Sequence, residues 1–240
     1  MGTMNVRLSS LFLLVFAAVA FGQNMPSKSE RTISIRHAAK DFAISDLNNN
    51  AWRRADETTV GSYWNGVPAS AGRQFTAQLL WTENALYVRF IAKKEEPLVV
   101  SKKPNLNSKT MGLWDRDVCE IFIAPDPNES RKYFEFEIAP NGEWIDLAID
   151  LTSGKRKTQW DYKSGMESAA KIEKDKVIMA IKVPWKALGK TPKAGDVWLG
   201  NLLRCVGTDP NRGYLAWQPT MTKEPNFHVP EKFGEFEFTP

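Results

Sequence analysis

The stretch DVCEIFIAPDPNESRKYFEFEIAPNGEWIDLAIDL, residues 117–151, alternates apolar and polar side chains in three successive segments. Alternation with a period of two is typical of half-buried β-strands. The segments are separated by residues 125–128 and 140–142, whose proline, asparagine and glycine favour turns. The stretch therefore predicts a three-stranded antiparallel meander.

The same alternation continues on both sides of this meander. It covers residues 74–81, 86–92, 177–183, 198–205 and 233–238. A single helical turn is expected at residues 184–189, ended by Gly189. Many short strands joined by turns rich in glycine and proline, without a linker, predict one antiparallel β-sandwich domain over residues 35–240.

The alternation also assigns side chains to faces. Cys119, Ile121 and Ile123 share one apolar face, which we expect to form the core, and this leaves Glu120 on the opposite face. The next two strands also pair an apolar face with an acidic one, whose carboxylates are Glu135, Glu137 and Asp146.

Arg204 is placed by a similar argument. If Cys119 and Cys205 both point to the core, then Arg204 lies on the same face as Glu120. The two cysteines are compatible with a disulfide in an oxidising compartment or with two small buried hydrophobic side chains. The sequence leaves both alternatives open.

Composition excludes several classes of protein. The chain has 240 residues, of which 42% are hydrophobic and 25% charged, as in ordinary globular proteins. The net charge of +4 comes without a basic run interleaved with aromatic residues, so nucleic acid is not an expected partner. The 9 tryptophans stand out, because an indole N–H needs a partner and tryptophan-rich chains often present some rings at a binding surface.

The N-terminal residues are predicted to be a targeting signal. One charge, Arg7, precedes an apolar run over residues 11–21 that is too short to span a membrane. Small residues allow cleavage after Ala20 or Gly22. We therefore expect a signal peptide at residues 1–22, a flexible leader at residues 23–34, no membrane span, and a secreted, periplasmic or cell-surface location.

Aromatic rings beside carboxylates and amides are suited to sugars. The C–H faces of a pyranose pack on an indole ring, and its hydroxyls need several polar partners. A solvated outer face would show the same pattern. Paired carboxylates also hydrolyse glycosidic bonds, but no pair is singled out among Glu120, Glu135, Glu137 and Asp146. With only His37 and His228, and no nucleophile or metal motif, other hydrolytic chemistry is disfavoured.

Several short motifs occur in a fixed order. They are FAISD (42–46), AW (51–52), LWTENALYV (80–88), LWDRDVCEIF (113–122), FEIAPNG (136–142), VPW (183–185), GDVW (195–198) and AW (216–217). In order and spacing the chain resembles the family 9 carbohydrate-binding modules, a DOMON-like group of β-sandwiches. The resemblance covers residues 35–240.

The resemblance implies non-catalytic binding of a sugar between two tryptophan rings. Trp114 and Trp217 would be these rings, facing each other across a slot roughly 7–8 Å wide. Glu120 would bind hydroxyls, and Arg204 and Asn201 would contribute further polar contacts. Four other tryptophans fall in motifs that imply packing: Trp52, Trp81, Trp185 and Trp198.

The resemblance also bears on partners and cofactors. It implies a carbohydrate ligand such as xylan or cellulose, a role in carbohydrate catabolism and association with secreted glycanases. No cofactor is expected apart from structural calcium, for which Asp115, Asp117 and Asp126 are candidate ligands. A glycoside hydrolase and a cell-surface interaction protein remain the alternatives.

Overall fold

The computed structural model describes residues 1–2 and 28–240. Apart from its first two residues, the predicted signal peptide lies outside the described residues. The strands are β1 (Thr32–His37), β2 (Glu57–Val60), β3 (Phe75–Trp81), β4 (Ala85–Lys93), β5 (Val118–Ala124), β6 (Lys132–Ile138), β7 (Trp144–Asp150), β8 (Lys157–Gln159), β9 (Glu167–Ile172), β10 (Lys176–Pro184), β11 (Val197–Val206), β12 (Gly213–Ala216) and β13 (Gly234–Thr239). One short helix, α1 (Trp185–Leu188), ends at Gly189 as predicted.

Short 3₁₀ turns connect some of these strands. They lie at Lys28–Arg31, Asn50–Arg54, Leu113–Asp115, Pro127–Glu129 and Pro230–Lys232. Within the described part of the chain, no helix is long and apolar enough to cross a membrane. The fold is all-β, as the alternation predicts.

The strands form a single mixed sheet in the order β8-β7-β6-β5-β11-β13-β1-β3-β4-β10-β9, with β12 on β11 and β2 on β3. β1 runs parallel to both β13 and β3, whereas the other pairs are antiparallel. The predicted purely antiparallel sandwich therefore needs correction. Alternation reports which face of a strand is buried, but not the direction of the neighbouring strand.

The predicted domain boundary at residue 35 falls inside β1. Thr32, Ile33 and Ser34 already pair with residues of β13. The last residues of the predicted leader are thus part of the sheet, and Ile33 is buried in its core. The domain accordingly begins by Thr32.

The sheet curls so that its two halves share one core. Leu79, Val88 and Met179 from β3, β4 and β10 belong to the same apolar cluster as Ile121 and Phe136 from β5 and β6. A second apolar cluster lies on the opposite face of β5, β6, β7 and β11. Both faces of β5, β6 and β11 are therefore largely buried, unlike the half-exposed strands that their alternation suggests.

The two cysteines illustrate this double burial. Cys119 belongs to the first cluster and Cys205 to the second, and both are free thiols. Their side chains lie on opposite faces of neighbouring strands, which excludes a disulfide between them. The reading as two buried hydrophobic side chains is confirmed, as is the packing role of Trp52, Trp81, Trp185 and Trp198, which are all buried.

Candidate functional site

A cavity of about 300 Å³ opens on the second face of β5 and β6. Its aromatic lining comes from Trp114, Phe122, Trp160, Tyr214, Phe227 and His228. Its acidic lining includes Glu120 and Glu135. Its volume is at the lower end of the range for small-molecule sites.

The alternation of β5 and β6 brings the acidic groups together. Glu120 lies opposite Glu137 in the strand register, and Phe122 lies opposite Glu135. Residues that pair in register point to the same face, so Glu120, Glu135 and Glu137 converge. β7 presents Leu147 and Ile149 to the cavity instead.

Asp146 therefore does not belong to the acidic face to which the sequence assigns it. It lies on the other face of β7 and pairs with Lys109 Nζ at 2.5 Å. Its Oδ2 accepts a hydrogen bond from Ser164 N at 2.6 Å. Lys109 Nζ also donates to the carbonyl of Tyr162 at 2.5 Å, so this ion pair fixes the segment that follows Trp160.

The three glutamates form a buried acidic cluster. Glu120, Glu135 and Glu137 are 2%, 4% and 0% exposed, and one oxygen from each lies within 4.8 Å of the others. Among the described residues, none of the three is in an ion pair.

Burial controls the protonation of this cluster. It raises the pKa of Glu120 to about 8, and the charge of Glu135 adds to the effect. Burial also raises the pKa of Glu135, while that of Glu137 lies well above its usual value because of burial and the neighbouring charge of Glu120. Without a positive partner, the cluster thus retains protons at neutral pH.

Two tryptophans border the opening of the cavity. The rings of Trp114 and Trp160 have centroids 6.2 Å apart and planes inclined by 43°. Trp114 is half-buried, and Arg212 Nη2 donates to its carbonyl at 2.6 Å. Trp160 is 48% exposed. The sequence gives no indication that Trp160 belongs to the site, because residue 160 lies outside the strands that alternate clearly.

His228 is a further residue that the sequence does not single out for this site. Its ring stacks on Phe122 with a centroid separation of 5.2 Å, and its Nδ1 lies 2.7 Å from the hydroxyl of Tyr133. Burial lowers the pKa of His228 to about 3, with a further contribution from the charge of Arg156. The imidazole is therefore neutral at neutral pH and accepts or donates hydrogen bonds without a charge.

A sequence model of carbohydrate family 9 binding domain-like proteins matches residues 45–239. The chain belongs to this family. No curated protein is significantly similar to it in sequence.

Solved structures of similar fold include carbohydrate-binding proteins. A candidate carbohydrate-binding protein from Bacteroides uniformis has a TM-score of 0.69 at 14% identity, covering 87% of this chain and 99% of that chain. A family 9 carbohydrate-binding module from Caldicellulosiruptor kristjanssonii was solved with cellotriose and with glucose. These structures have TM-scores of 0.62 and 0.61 at 15% identity, and cover 87% of this chain and 93% and 95% of that chain. At these identities the likeness establishes the fold.

The predicted clamp of Trp114 and Trp217 is not formed in this family 9 domain. Trp217 packs against the first core cluster and stacks on Phe236, with centroids 5.8 Å apart and planes inclined by 10°. Gly234 permits this position, because a Cβ there would lie 2.4 Å from the indole ring. Trp114 packs against the second cluster, so the two rings belong to opposite faces of the sheet.

Arg204 also lies on the wrong face for the cavity. It pairs in register with Cys119 and therefore shares the face of the first cluster. Its guanidinium donates to the carbonyls of Arg73 at 2.5 Å, Gln74 at 3.3 Å and Lys93 at 2.9 Å. Arg204 thus has a structural role in this domain.

Asn201 shares the face of Glu120, but both polar atoms of its side chain are hydrogen-bonded within the protein. Its Nδ2 donates to the carbonyl of Gln218 at 2.8 Å. Its Oδ1 accepts from Gln218 N at 2.9 Å and from Leu202 N at 3.0 Å. Asn201 therefore fixes the chain after β12 and is not a ligand contact.

The predicted calcium ligands are not brought together. Both carboxylate oxygens of Asp117 are used by backbone amides, those of Gly207 at 2.8 Å and Val99 at 3.2 Å. Asp126 caps the 3₁₀ turn that follows β5. Asp115 is exposed and lies at the edge of the cavity. Of the predicted ligand-binding residues, the cavity thus contains Trp114 and Glu120.

Proposed function

We propose that the protein is a non-catalytic carbohydrate-binding protein whose ligand occupies the cavity bordered by Trp114 and Trp160. The observation that carries this proposal is the pair of indole rings beside the buried carboxyl of Glu120. Indole faces pack against the C–H groups of a pyranose, and the carboxyl and neutral His228 can bond to its hydroxyls. The family 9 membership and the glucose and cellotriose complexes of a structural relative support it.

The mode of binding differs from a two-ring clamp. Rings whose centroids lie 6.2 Å apart leave no space for a sugar ring between them, since each stacking contact needs roughly 3.5–4 Å. The inclined rings instead form one continuous aromatic surface. We expect the sugar to lie on this surface with its hydroxyls directed towards Glu120.

The wider role is part of the same proposal. The signal sequence predicted at residues 1–22 supports secretion, and the ligand class we favour is the chain end of a plant-type polysaccharide such as xylan or cellulose. The protein would act in carbohydrate catabolism beside secreted glycanases. An open site with one or two stacking contacts corresponds to roughly 4–7 kcal/mol, a Kd of about 10⁻³–10⁻⁵ M.

Trp114→Ala and Trp160→Ala are each expected to weaken carbohydrate binding about tenfold or more, because each removes half of the aromatic surface. The measurement is calorimetry or tryptophan fluorescence with cello- and xylo-oligosaccharides, together with pull-down on insoluble xylan and cellulose. Trp160→Ala is the cleaner variant, since the exposed ring contributes little to folding.

Trp217→Phe is the matched control. It retains a ring on Phe236 and removes the indole that a clamp with Trp114 would need. Binding should be unchanged in this variant. A wild-type protein that binds none of the glycans, or a loss of binding in Trp217→Phe but not in Trp160→Ala, would refute the proposed site.

The acidic cluster makes a glycoside hydrolase the second candidate function. Glycoside hydrolysis needs one carboxyl that is protonated and another that is ionised, and neighbouring carboxyls that repel each other can supply both states. Burial raises the pKa of Glu120 and of Glu135, and the charge of Glu135 adds to the shift of Glu120. Release of reducing ends from an oligosaccharide, lost in Glu120→Gln, would show that the protein is an enzyme.

A further inference from the structure

We infer that Glu120, Glu135 and Glu137 form a binding site for a hard divalent cation, calcium in the first place, at the inner end of the cavity. Three carboxylate oxygens within 4.8 Å of one another can contact one ion. Two oxygens on opposite sides of a calcium ion lie about 4.6–5.2 Å apart, since each Ca–O distance is about 2.3–2.6 Å. An all-oxygen donor set favours calcium over zinc or copper.

A second observation points to a missing positive partner. Glu137 is fully buried, and no donor group reaches either of its oxygens. Oε2 of Glu135 likewise has no donor, and the side-chain contact of Glu137 is with another acid, the carboxyl of Glu135. A buried carboxylate without a donor is costly unless it is protonated or bound to a cation.

The arginines nearest to the cluster do not fill this role. Arg156 and Arg212 influence the carboxyls through their charge alone, and neither forms an ion pair with them. Arg212 is committed to the backbone carbonyls of Gly207, Trp114 and Arg116. No side-chain cation among the described residues forms an ion pair with the three carboxyls, and a small cation can supply the missing positive charge.

The position of the cluster gives the ion a function. Glu120 and Glu135 line the cavity, so a calcium ion held by them has coordination positions open to it. Calcium takes six to eight oxygen ligands, and three glutamates supply only part of this number. Neighbouring hydroxyls of a sugar can supply others, an extension that rests on the proposed carbohydrate-binding function.

The first experiment uses calcium without carbohydrate. The EDTA-treated protein is titrated with CaCl₂ by calorimetry, and its thermal unfolding is compared in about 5 mM CaCl₂ and in EDTA. Calcium should raise the Tm by about 5 °C or more, since a ligand that binds only the folded state stabilises it. Glu137→Gln and Glu120→Gln should each abolish this shift, because the amide keeps the side-chain shape but removes the charge.

Asp126→Asn is the matched control, because Asp126 is an exposed carboxylate in a loop outside the cluster. It should retain the full calcium shift. Absence of a shift in the wild-type protein, or a shift that persists in both glutamine variants, would overturn the cation site.

The second experiment tests the link to carbohydrate. Oligosaccharide affinity is measured in CaCl₂ and in EDTA, and it should fall tenfold or more without calcium. Calcium binding with an unchanged sugar affinity would overturn the coordination of hydroxyls but keep the cation site. Calcium binding without any sugar binding would instead refute the proposed function, so the two failures are distinguishable.

Discussion

Lowering the pH from about 7 to about 4 is expected to destabilise the protein by about 3 kcal/mol through His228 alone. Burial against Phe122 lowers the pKa of His228 to about 3. The unfolded chain binds a proton at this residue near its ordinary pKa of 6.5, whereas the folded protein does not. The contribution of His228 to stability is thus complete above about pH 6.5 and falls by about 1.4 kcal/mol per pH unit below it.

The measurement is urea unfolding of the wild-type protein and of His228→Gln across this pH range. The variant is less stable at neutral pH, because it loses the stacking on Phe122. The informative quantity is therefore the pH dependence of the gap in unfolding free energy between the two proteins. This gap should shrink steadily as the pH falls, because only the wild type loses the contribution of His228. The matched control is His37→Gln, which removes the histidine on β1 outside the cavity. Parallel pH profiles for wild type and His228→Gln would contradict the expectation.

The strands of the fold are predictable because each carries its own pattern. The alternation in residues 117–151 predicts β5, β6 and β7, and the pair Gly189 and Pro184 predicts α1. The alternation of a strand does not identify the neighbouring strand with which it pairs. The parallel contacts of β1 arise from where the chain enters the sheet, which a local pattern does not report.

A site residue is predictable where the alternation of its own strand assigns its side chain to a face. Glu120 lies on the face that the alternation of β5 predicts, and Trp114 follows from the family motif. Arg204 and Trp217 could not be placed in this way. The placement of Arg204 depends on which face of β11 meets the cavity, and both faces of β11 are largely apolar and buried. Trp217 follows β12 and lies outside the alternating strands.

Trp160 and His228 show a second reason why some site residues cannot be predicted from the sequence. Each lies in a segment without period-two alternation, and each reaches the cavity because a distant residue holds that segment. Lys109 bonds to the carbonyl of Tyr162, and Tyr133 bonds to His228. Contacts between residues far apart in sequence leave no periodic signal in a single chain.

Replacing Arg204 by methionine is expected to destabilise the protein by about 3 kcal/mol or more, without a direct effect on carbohydrate binding. The guanidinium donates to the carbonyls of Arg73, Gln74 and Lys93. The Gln74 carbonyl also accepts from Lys93 N, so the variant leaves the carbonyls of Arg73 and Lys93 without this donor. A hydrogen bond from a charged group contributes about 1.5–3 kcal/mol, and two of them are lost together. Methionine keeps much of the side-chain volume, so the loss of stability comes from the missing hydrogen bonds more than from a cavity.

Urea unfolding measures the change in stability, and titration with oligosaccharide at a temperature where the variant is folded measures the affinity. The matched control is Arg131→Met, which breaks an exposed ion pair with Glu231 and should change the free energy of unfolding by about 0.5 kcal/mol or less. Arg204→Met should then be unstable but competent in binding. A stable variant with weakened binding would show that Arg204 contacts the ligand. In that case β11 would have to turn its opposite face towards Glu120.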